Sequence, residues 1–524
     1  ATLSCHYAQE GTTSRRPNLQ ESQKTDISKE TNVSTKADII EKTAHEEASG
    51  HGSLENQSQA SSQGPSQDLN DQLVNGSITK QLFRLALPTM GGYMFQSLYD
   101  MVDLFWIGYI SPNAVASMTI ISTMLWLVNV FNEIVGTSSV SLISQYHGSG
   151  DRERTRIASE RTLAFKFIWA LAGSLFMALL LRPIVHFFST DSLVIELALD
   201  YGYIRVFFIP IFFSSYSVNT IFRCTGDAKT PMKLLTASAI LNIILDPILM
   251  FDDIPFLTSL TGIHGLGLGM AGAAWATAIG QTFAFLAGFA LLLKGTSEVK
   301  LSVKNLLKPH KEVDHKLMTI GLPSGVNLLL RNIFNIILMK IISTYGTAAV
   351  AILGVGTRLQ GFCMMPQTGF SMGSGIILGH ALGANKPKRA KECVKRANLL
   401  CAAVSAIPAL AFFICPSFLM SLFLGGAAPG PDGVVLMYVF GANVIILAFM
   451  VGYHAAFSGS GLNRPTMYAS LISQYCFQLP YAFVVYLLKL PVTVLWFAYM
   501  LGDIVCLWLL HHYYKQDKWL GNRV

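Results

Sequence analysis

Two aspartates lie three residues apart inside an apolar stretch of the sequence. They are Asp100 and Asp103, in the run QSLYDMVDLFWIG at residues 96–108. A charged side chain at bilayer depth costs about 2.5–3.5 kcal/mol on insertion scales, so such residues usually face a protein interior and serve a function. A carboxylate in that position can hold a proton or a cation, and the stretch therefore predicts an ion-binding site.

Other polar residues share the helix that would carry these aspartates. Gln96, Tyr99 and Asp103 stand at i, i+3 and i+7, which places them on one face of a helix. Asp100 lies about 100° away from Tyr99, beside the same face. A continuous polar stripe in an apolar helix is expected to face the interior of a helix bundle.

Two further apolar segments carry polar pairs at helical spacing. The motif LNIILDP places Asn242 and Asp246 one turn apart, and the next segment places Thr277 and Gln281 one turn apart. A carboxyl group removed from water favours its neutral form, and a second carboxylate nearby strengthens that preference. Asp103 and Asp246 are therefore predicted to take up a proton together, or to bind a cation that replaces it.

The elements that must position these residues are long apolar segments. The chain has 524 residues, of which 52% are hydrophobic and 13% charged, whereas soluble domains contain about 25% charged residues. The apolar runs are continuous rather than alternating, which favours membrane-spanning helices over a transmembrane barrel. We identify twelve such segments, at 81–110, 114–137, 158–181, 194–222, 232–251, 268–293, 317–345, 348–376, 396–416, 433–459, 466–488 and 490–513.

The loops between these segments differ strongly in Lys and Arg content. Basic clusters fall at 152–161, 294–316 and 386–396, whereas the loops on the opposite side hold only Arg182 and Lys489. Loops rich in Lys and Arg stay in the cytoplasm, so both chain ends are predicted to be cytoplasmic, in the plasma (inner) membrane. The net charge of +7 is then explained by sorting across the bilayer, and nucleic acid is not expected as a partner.

The second half of the chain repeats the first at an offset of 235 residues. Leu87-Pro88 falls on Leu322-Pro323, and Gly148 falls on Gly383. Six helices are followed by six like them, and an even number of crossings gives both copies the same orientation. The predicted fold is an all-α polytopic membrane protein, with two six-helix lobes related by a pseudo-two-fold axis along the membrane normal. Parallel repeats of this kind recur among secondary transporters.

The carboxylates are confined to the first copy of the repeat. Asp103 corresponds to Leu338, and Asp246 corresponds to Tyr481. A packing role would more naturally be shared by both copies. We therefore predict that the ion site belongs to the first lobe.

The repeat and the loops together divide the chain into five parts. The predicted parts are a polar tail at 1–76, the first lobe at 77–293, a cytoplasmic linker at 294–316, the second lobe at 317–514 and a cytoplasmic C-terminus at 515–524. The tail is rich in Ser, Thr, Gln and Glu and is predicted to be disordered.

The sequence also indicates the energy source. The chain has no Walker A motif and no soluble nucleotide-binding fold, so an ion gradient is the expected energy source.

Five motifs in combination resemble the MATE (multidrug and toxic compound extrusion) family, in particular its DinF-like bacterial and archaeal branch. They are LALPTMGGYMFQSLYDMVDLFWIG, ISQYHGSGD, FRCTGDAKTPM, LNIILDPILMF and GMAGAAWAT, and the resemblance runs from about residue 78 to 513. It implies two lobes arranged in a V around a cavity that opens alternately to each side. It also implies export of organic cations and other amphipathic compounds against an inward flow of H+ or Na+.

The resemblance carries roles to particular residues. Tyr99 and Asp103 match the family's YNxxD pattern, Asn242 and Asp246 match its NxxxD pattern, and Thr277 matches the threonine after GAAxA. These residues are implied to bind the coupling ion. The chain departs from the family at Asp100, where Asn is usual, and the extra carboxylate is expected to alter ion choice or stoichiometry.

A substrate cavity is predicted from polar and adaptable side chains. Met and aromatic residues in LQGFCMMPQTGFSM, at 359–372, suit the wall of a cavity for flat cations, or equally a plain core. Arg331 either lines the cavity or pairs with Asp503, and His147 and His380 are expected to be solvated at loop ends. The predicted cavity set is Gln96, Gln281, Phe362, Met364, Met365 and Arg331.

These patterns predict a secondary-active exporter of multiple drugs or organic cations, coupled to H+ or Na+, with Asp103 and Asp246 as its ion site. No enzyme activity, cofactor or structural metal is expected. The expected partners are small amphipathic or cationic substrates and the lipid bilayer, and the protein is expected to be a monomer. Two alternatives remain, a flippase for lipid-linked precursors and an exporter of one specific metabolite. A flippase would need several arginines in its cavity, and the chain has few inside its apolar segments.

Overall fold

The computed structural model describes residues 65–253, 264–295, 299–306, 308–423 and 430–524, and these form one compact unit from Pro65 onward. The predicted tail up to residue 64 lies outside the described residues. The helices are α1 (Pro65–Asn75), α2 (Ile78–Ile110), α3 (Pro112–Gly148), α4 (Arg152–Phe188), α5 (Ser192–Phe207), α6 (Ile209–Cys224), α7 (Lys229–Met250), α8 (Gly269–Lys294), α9 (Val303–Leu306), α10 (Lys311–Ser343), α11 (Thr347–Gly383), α12 (Pro387–Ile414), α13 (Pro416–Ser421), α14 (Gly430–Ser460), α15 (Arg464–Leu471), α16 (Leu479–Leu487), α17 (Val492–Lys515) and α18 (Lys518–Gly521), with a π-helix at Ile472–Gln478 between α15 and α16.

The helices of the described residues account for twelve membrane crossings. Nine single helices of the described residues are each long and apolar enough to span a bilayer. The other three crossings are formed differently. One is α2, and a second is the pair α5 and α6, which is interrupted at Phe208 before Pro210. The third is the continuous run of α15, the π-helix and α16. The prediction of an all-α protein with six helices in each of two lobes is confirmed.

Polar side chains begin several of these helices. Ser111, Asp151 and Asp191 each accept a hydrogen bond from a backbone N–H group in the first turn of α3, α4 and α5. Such caps satisfy N–H groups that have no partner within the helix. The positions of these helix starts are therefore determined locally by the sequence.

Helix α1 corrects part of the predicted disordered tail. Residues Pro65–Asn75 are helical, and the side chains of Leu73 and Val74 are buried. The Arg389 guanidinium, from the second lobe, donates hydrogen bonds to the carbonyl oxygens of Leu73 and Gly76. The mean composition of the tail is polar, so it does not reveal that the short segment α1 has one apolar face.

The two lobes meet on the side of the bundle that carries α1 and the C-terminal residues, which we call the termini side. Here α10 and α11 of the second lobe pack against α2 and α3 of the first. A Cβ atom added at Gly321 would lie 1.7 Å from the Ile134 carbonyl oxygen, and one added at Gly369 would lie 2.8 Å from the Ala86 carbonyl oxygen. Only glycine permits so close an approach of two helix backbones.

Toward their other ends, α2 and α11 are less closely packed. Gly108 near the end of α2 and Gly354 near the start of α11 have open space where a side chain would project. The Phe105 side chain is exposed on α2, and the Phe362 side chain is exposed on α11. The closest approaches between the lobes in the described residues are therefore on the termini side.

A buried histidine pair on the termini side corrects a second prediction. His147 Nδ1 and His380 Nε2 lie 2.9 Å apart, and both side chains are buried. His380 Nδ1 lies 2.8 Å from the Ile376 carbonyl oxygen. Both histidines were expected to be solvated, but the ends of α3 and α11 pack directly against each other and exclude water from them.

The predicted linker at 294–316 is partly helical. Helix α10 begins at Lys311, and Asp314 in its first turn accepts hydrogen bonds of 2.8 Å and 2.9 Å from Arg161 on α4. A two-point arginine–carboxylate contact of this kind fixes relative orientation. The start of the second lobe is thereby attached to the first.

Candidate functional site

Helices α7 and α8 bring three of the predicted ion-site residues together. Asn242 Nδ2 donates to Asp246 Oδ1 at 3.2 Å and to Thr277 Oγ1 at 3.5 Å. The Thr277 hydroxyl donates to the Ala273 carbonyl oxygen at 3.0 Å, and the three side chains are all at most 2% exposed. The amide of Asn242 therefore orients the carboxylate and the hydroxyl toward one buried point.

Small residues allow this close contact between α7 and α8. A Cβ atom added at Gly280 would lie 3.0 Å from the Ser238 carbonyl oxygen, and one added at Gly272 would lie 2.5 Å from the Leu249 carbonyl oxygen. The glycines in GMAGAAWATAIGQ thus set the spacing of the two helices. That spacing places Thr277 within reach of Asn242.

Helix α2 adds the remaining carboxylate. Asp103 is 3% exposed and interacts electrostatically with Asp246. Asp103 Oδ1, Asp246 Oδ2 and Asn242 Oδ1 are buried acceptor atoms that receive no hydrogen bond from any described residue. Buried acceptors without donors are energetically costly, so a proton or a cation in this position would be strongly stabilised.

Tyr99 and Asp100 have different surroundings, although they are neighbours in the chain. Tyr99 is buried, whereas Asp100 is exposed. The charged group that acts most strongly on Asp100 is Arg205, and Asp100 also interacts with Tyr216. Both of these partners lie on the crossing formed by α5 and α6, so the exposed Asp100 carboxylate lies on the side of α2 toward that crossing.

Arg205 is a component of this site that the sequence analysis missed. Its guanidinium carbon lies 4.7 Å from the Phe212 ring centroid and 5.8 Å from the Tyr201 ring centroid. Its charge acts on both Asp100 and Asp103, but it forms an ion pair with neither of these described residues. Arg205 lies in the apolar stretch YIRVF, and the energetic argument applied to the aspartates would have identified it.

Two buried cations also occupy the first lobe on the termini side of Asp100. Lys166 is 2% exposed, and its ammonium lies 5.9 Å from the Tyr216 ring centroid. Arg223 is 3% exposed, and its guanidinium carbon lies 5.5 Å from the Tyr93 ring centroid. Lys166, in the stretch FKFIW, is again a basic residue in an apolar segment that the sequence analysis did not single out.

The predicted cavity residues lie on helices of both lobes. Gln96 Nε2 donates to the Tyr216 hydroxyl at 3.2 Å, and Gln281 is buried within α8. Phe362 and Met364 are exposed on α11, and Met365 beside them is half-buried. Gln96 lies beside the first-lobe cations, and the common cavity stays a prediction.

Arg331 belongs to a separate group in the second lobe. It acts electrostatically on Asp503 and His454, and Asn443 hydrogen-bonds to the Asp503 carboxylate. Arg331 and Asp503 form no ion pair among the described residues. Arg331 is exposed and its charge acts on Asp503, so both alternatives from the sequence stay predictions.

A metal centre finds no support in the part of the chain that the structure describes. No group of three or more His, Cys, Asp or Glu side chains is arranged there to hold a metal ion. The donors around Asp103 and Asp246 are two carboxylates, an amide and a hydroxyl. This small set suits a transient proton or monovalent cation as cargo.

Comparison with known proteins identifies the family. The MatE family model matches twice, at residues 88–248 and 323–484, and the two matches cover more than half of the chain. The chain belongs to the MatE family. The two matches begin 235 residues apart, which is the offset of the internal repeat. Members of this family are transporters, so this MatE protein is a multi-pass membrane transporter and not an enzyme.

Several known proteins resemble this MatE chain over most of its length. "Probable multidrug resistance protein YoeA" of Bacillus subtilis (strain 168) is 24% identical over 84% of this chain and 94% of its own length. The "FAD transporter" of Shewanella oneidensis is 24% identical over 75% of this chain and 86% of its own length. A solved multidrug resistance MATE transporter in an outward-facing conformation has a TM-score of 0.78 at 20% identity, covering 85% of this chain and 97% of that chain.

Proposed function

We propose that this MatE protein is a secondary-active exporter of small amphipathic compounds, and that inward movement of H+ or Na+ through the first lobe drives it. The observation that carries the proposal is the set of three buried acceptor oxygens, on Asp103, Asp246 and Asn242, that have no hydrogen-bond donor among the described residues. A coupling ion supplies the missing positive charge or donor. Tyr99, Thr277 and Asp100 border this position and complete the proposed ion site.

The proposed cycle links occupancy of this site to the two open states. When the ion is absent, the repulsion between Asp103 and Asp246 in a poorly solvated interior favours a conformation in which water or substrate cations reach them. When the ion binds, the site is neutralised and the helices around it can pack. Because α2 carries Asp103 and also packs against α11 of the second lobe, a change around Asp103 is transmitted to the interface between the lobes.

The proposed substrates are amphipathic compounds, including organic cations that would bind near Asp100. Family membership alone does not determine substrate charge, since one relative carries the name of an FAD transporter and FAD bears phosphate groups. We propose that the protein acts as a monomer in the plasma (inner) membrane with both chain ends in the cytoplasm. The basic loops at 152–161 and 386–396, on the termini side, support this orientation.

The flippase alternative gains one supporting observation. The first lobe contains the buried cations Lys166 and Arg223 and the half-buried Arg205, which is more positive charge away from water than the sequence analysis assumed. Four carboxylates accompany these cations, at Asp100, Asp103, Asp246 and Glu133. The interior therefore carries no excess of positive charge of the kind that a polyanionic lipid-linked headgroup would require, and the exporter remains the better supported function.

Reconstitution in liposomes tests the proposal. Efflux of the fluorescent cation rhodamine 6G is measured under an imposed pH gradient or an imposed Na+ gradient, for the native protein and for Asp246→Asn. We expect one of the two gradients to accelerate efflux by the native protein, and Asp246→Asn to abolish that acceleration. The matched control is Asp503→Asn, which removes a carboxylate of the second lobe and is expected to retain gradient-driven efflux. Equal efflux by the native protein with and without both gradients would overturn the proposal.

A second prediction concerns the spacing of α7 and α8. Gly280→Val is expected to push the helices apart, because a Cβ atom there already lies 3.0 Å from the Ser238 carbonyl oxygen. The hydrogen bond between Asn242 and Thr277 would then be lost. We expect the ion concentration for half-maximal transport to rise by about tenfold, which corresponds to roughly 1.4 kcal/mol. Thr282→Val is the control, because that hydroxyl bonds only within its own helix. An unchanged half-maximal concentration in Gly280→Val would show that the spacing is unimportant.

A further inference from the structure

A cluster of two cations and two tyrosines lies in the first lobe, and the proposed ion cycle does not use it. Its members are Tyr93 on α2, Lys166 on α4, and Tyr216 and Arg223 on α6. Tyr216 connects them, because it interacts electrostatically with Tyr93 and Arg223 and its ring lies 5.9 Å from the Lys166 ammonium. We call these four residues the Lys166–Arg223 cluster.

Arg223 is buried with unusually weak partners. Its Nη1 atom lies 3.1 Å from the Met372 sulfur, its Nε atom has no hydrogen-bond partner, and its guanidinium lies over the Tyr93 ring. Among the residues that the structure describes, it forms no ion pair. A buried guanidinium is normally paired with a carboxylate or a phosphate, because its desolvation is otherwise uncompensated. An anionic ligand that reached Arg223 would supply the missing partner for its donors.

Lys166 adds a second positive charge with incomplete compensation. Among the described residues, the acidic side chain that acts on it is Glu133, whose carboxylate accepts a hydrogen bond of 2.6 Å from Thr137. Lys166 and Glu133 form no ion pair among the described residues. Counting Glu133, the cluster thus holds two cations and one carboxylate beside two aromatic rings. The other carboxylate that acts on Tyr216 is Asp100, which lies farther along α2.

The cluster lies at a fixed distance along α2 from the exposed carboxylate of Asp100. Tyr93 and Asp100 are seven residues apart on α2, so they share one face and are separated by about 10 Å along the helix axis. Gln96 lies between them and donates to the Tyr216 hydroxyl. A single surface of α2 therefore presents a positive region with aromatic rings at one end and a negative group at the other.

We infer that the Lys166–Arg223 cluster is a binding subsite for the anionic group of the transported compound, and that the preferred substrates are zwitterionic aromatic amphipaths. The substrate's carboxylate or phosphate contacts Arg223 and Lys166, its aromatic body stacks on Tyr93 and Tyr216, and its cationic group faces Asp100. This inference rests on the proposed export function and specifies its substrate class.

The position of Met372 explains when this subsite becomes accessible. Met372 belongs to α11 of the second lobe and covers Arg223 in the conformation that is closed on the termini side. Separation of the lobes on that side removes Met372 and exposes the guanidinium. The anionic group is therefore captured from the termini side, where an exporter with cytoplasmic ends must load.

A matched pair of dyes tests the inference. Rhodamine B carries a carboxylate and a cationic xanthene, and its ethyl ester carries the same cation without the carboxylate. Binding of each dye to the protein in lipid nanodiscs is measured by fluorescence anisotropy, for the native protein, Arg223→Gln, Lys166→Met and Arg223→Lys. Arg154→Gln is the control, because the Arg154 side chain is 67% exposed and lies outside the cluster.

We expect the native protein to prefer the acid over the ester, and each of Arg223→Gln and Lys166→Met to lower that preference by about tenfold, as for a lost charge-assisted hydrogen bond. Arg223→Lys is expected to keep part of the preference, and Arg154→Gln all of it. Binding of the ester shows that a variant is folded. If Arg223→Gln binds neither dye, it is not folded, and the result with Lys166→Met tests the inference. A native preference for the ester, or an unchanged preference in Lys166→Met, overturns the inference. Failure of the subsite inference would still leave gradient-driven efflux of the ester intact. Failure of the proposed export function would instead abolish gradient-driven efflux of both dyes.

Discussion

Asp103→Asn is expected to abolish ion-driven transport and to leave the protein folded and inserted. The substitution keeps the size of the side chain but removes the charge that a coupling ion neutralises. Asp103 is 3% exposed, and its Oδ1 atom has no hydrogen-bond partner among the described residues. The amide of the asparagine is uncharged, so the substitution leaves no new unpaired ion. We expect efflux under the driving gradient to fall to the rate without a gradient, while downhill exchange of substrate continues.

The measurement compares gradient-driven efflux with substrate exchange in the same liposomes. Asp503→Asn is again the appropriate control, because Asp503 belongs to the second lobe and interacts with Arg331 rather than with Asp103. Full gradient-driven activity of Asp103→Asn would contradict the assignment of the ion site to the first lobe. Loss of both activities, with normal folding, would instead indicate that Asp103 is needed for the conformational change itself.

Gly321→Ala is expected to prevent closure on the termini side. The added Cβ atom would lie 1.7 Å from the Ile134 carbonyl oxygen, and a backbone atom of a long helix cannot move aside locally. Overpacking of this kind costs about 1–3 kcal/mol, which is enough to shift a balanced conformational equilibrium about fivefold or more toward the other state. Transport should decrease strongly, because alternating access requires both closed states.

Spin labels on the termini-side loops measure this effect directly. With labels at Gly150 and Lys386, one in each lobe, Gly321→Ala should increase the population with the longer distance. Gly354→Ala is the matched control, because a Cβ atom at Gly354 meets nothing within 4 Å. A distance distribution in Gly321→Ala identical to that of the native protein would show that the two lobes do not close through this contact.

Part of the site was accessible from the sequence and part was not, for identifiable reasons. Asp103 and Asp246 are predicted from the sequence because a carboxylate in an apolar helix is costly, and that cost is evident from the residue type alone. Lys166 and Arg205 meet the same criterion, because each is a basic residue in an apolar segment. Arg223 directly follows the predicted apolar segment at 194–222, and only the packing of Tyr93 and Met372 around it shows that it is buried.

Other expectations failed where they depended on neighbours distant in the chain. His147 and His380 lie 233 residues apart and become buried only because two helix ends of different lobes meet. Helix α1 has a polar composition, and its order depends on Arg389 from the second lobe and on the burial of Leu73. Composition and local periodicity contain no information about such contacts.

The sequence by itself determined the number of crossings, the two-lobe repeat and the family, because the length of an apolar run and the recurrence of a motif are properties of the chain alone. The tertiary structure decided which polar groups meet and on which side the lobes touch. These depend on the rotation of each helix and on how closely two backbones approach, as at Gly280 and Gly321. The acceptors of Asp103, Asp246 and Asn242 converge only in the packed first lobe, because packing removes the water that would otherwise satisfy them.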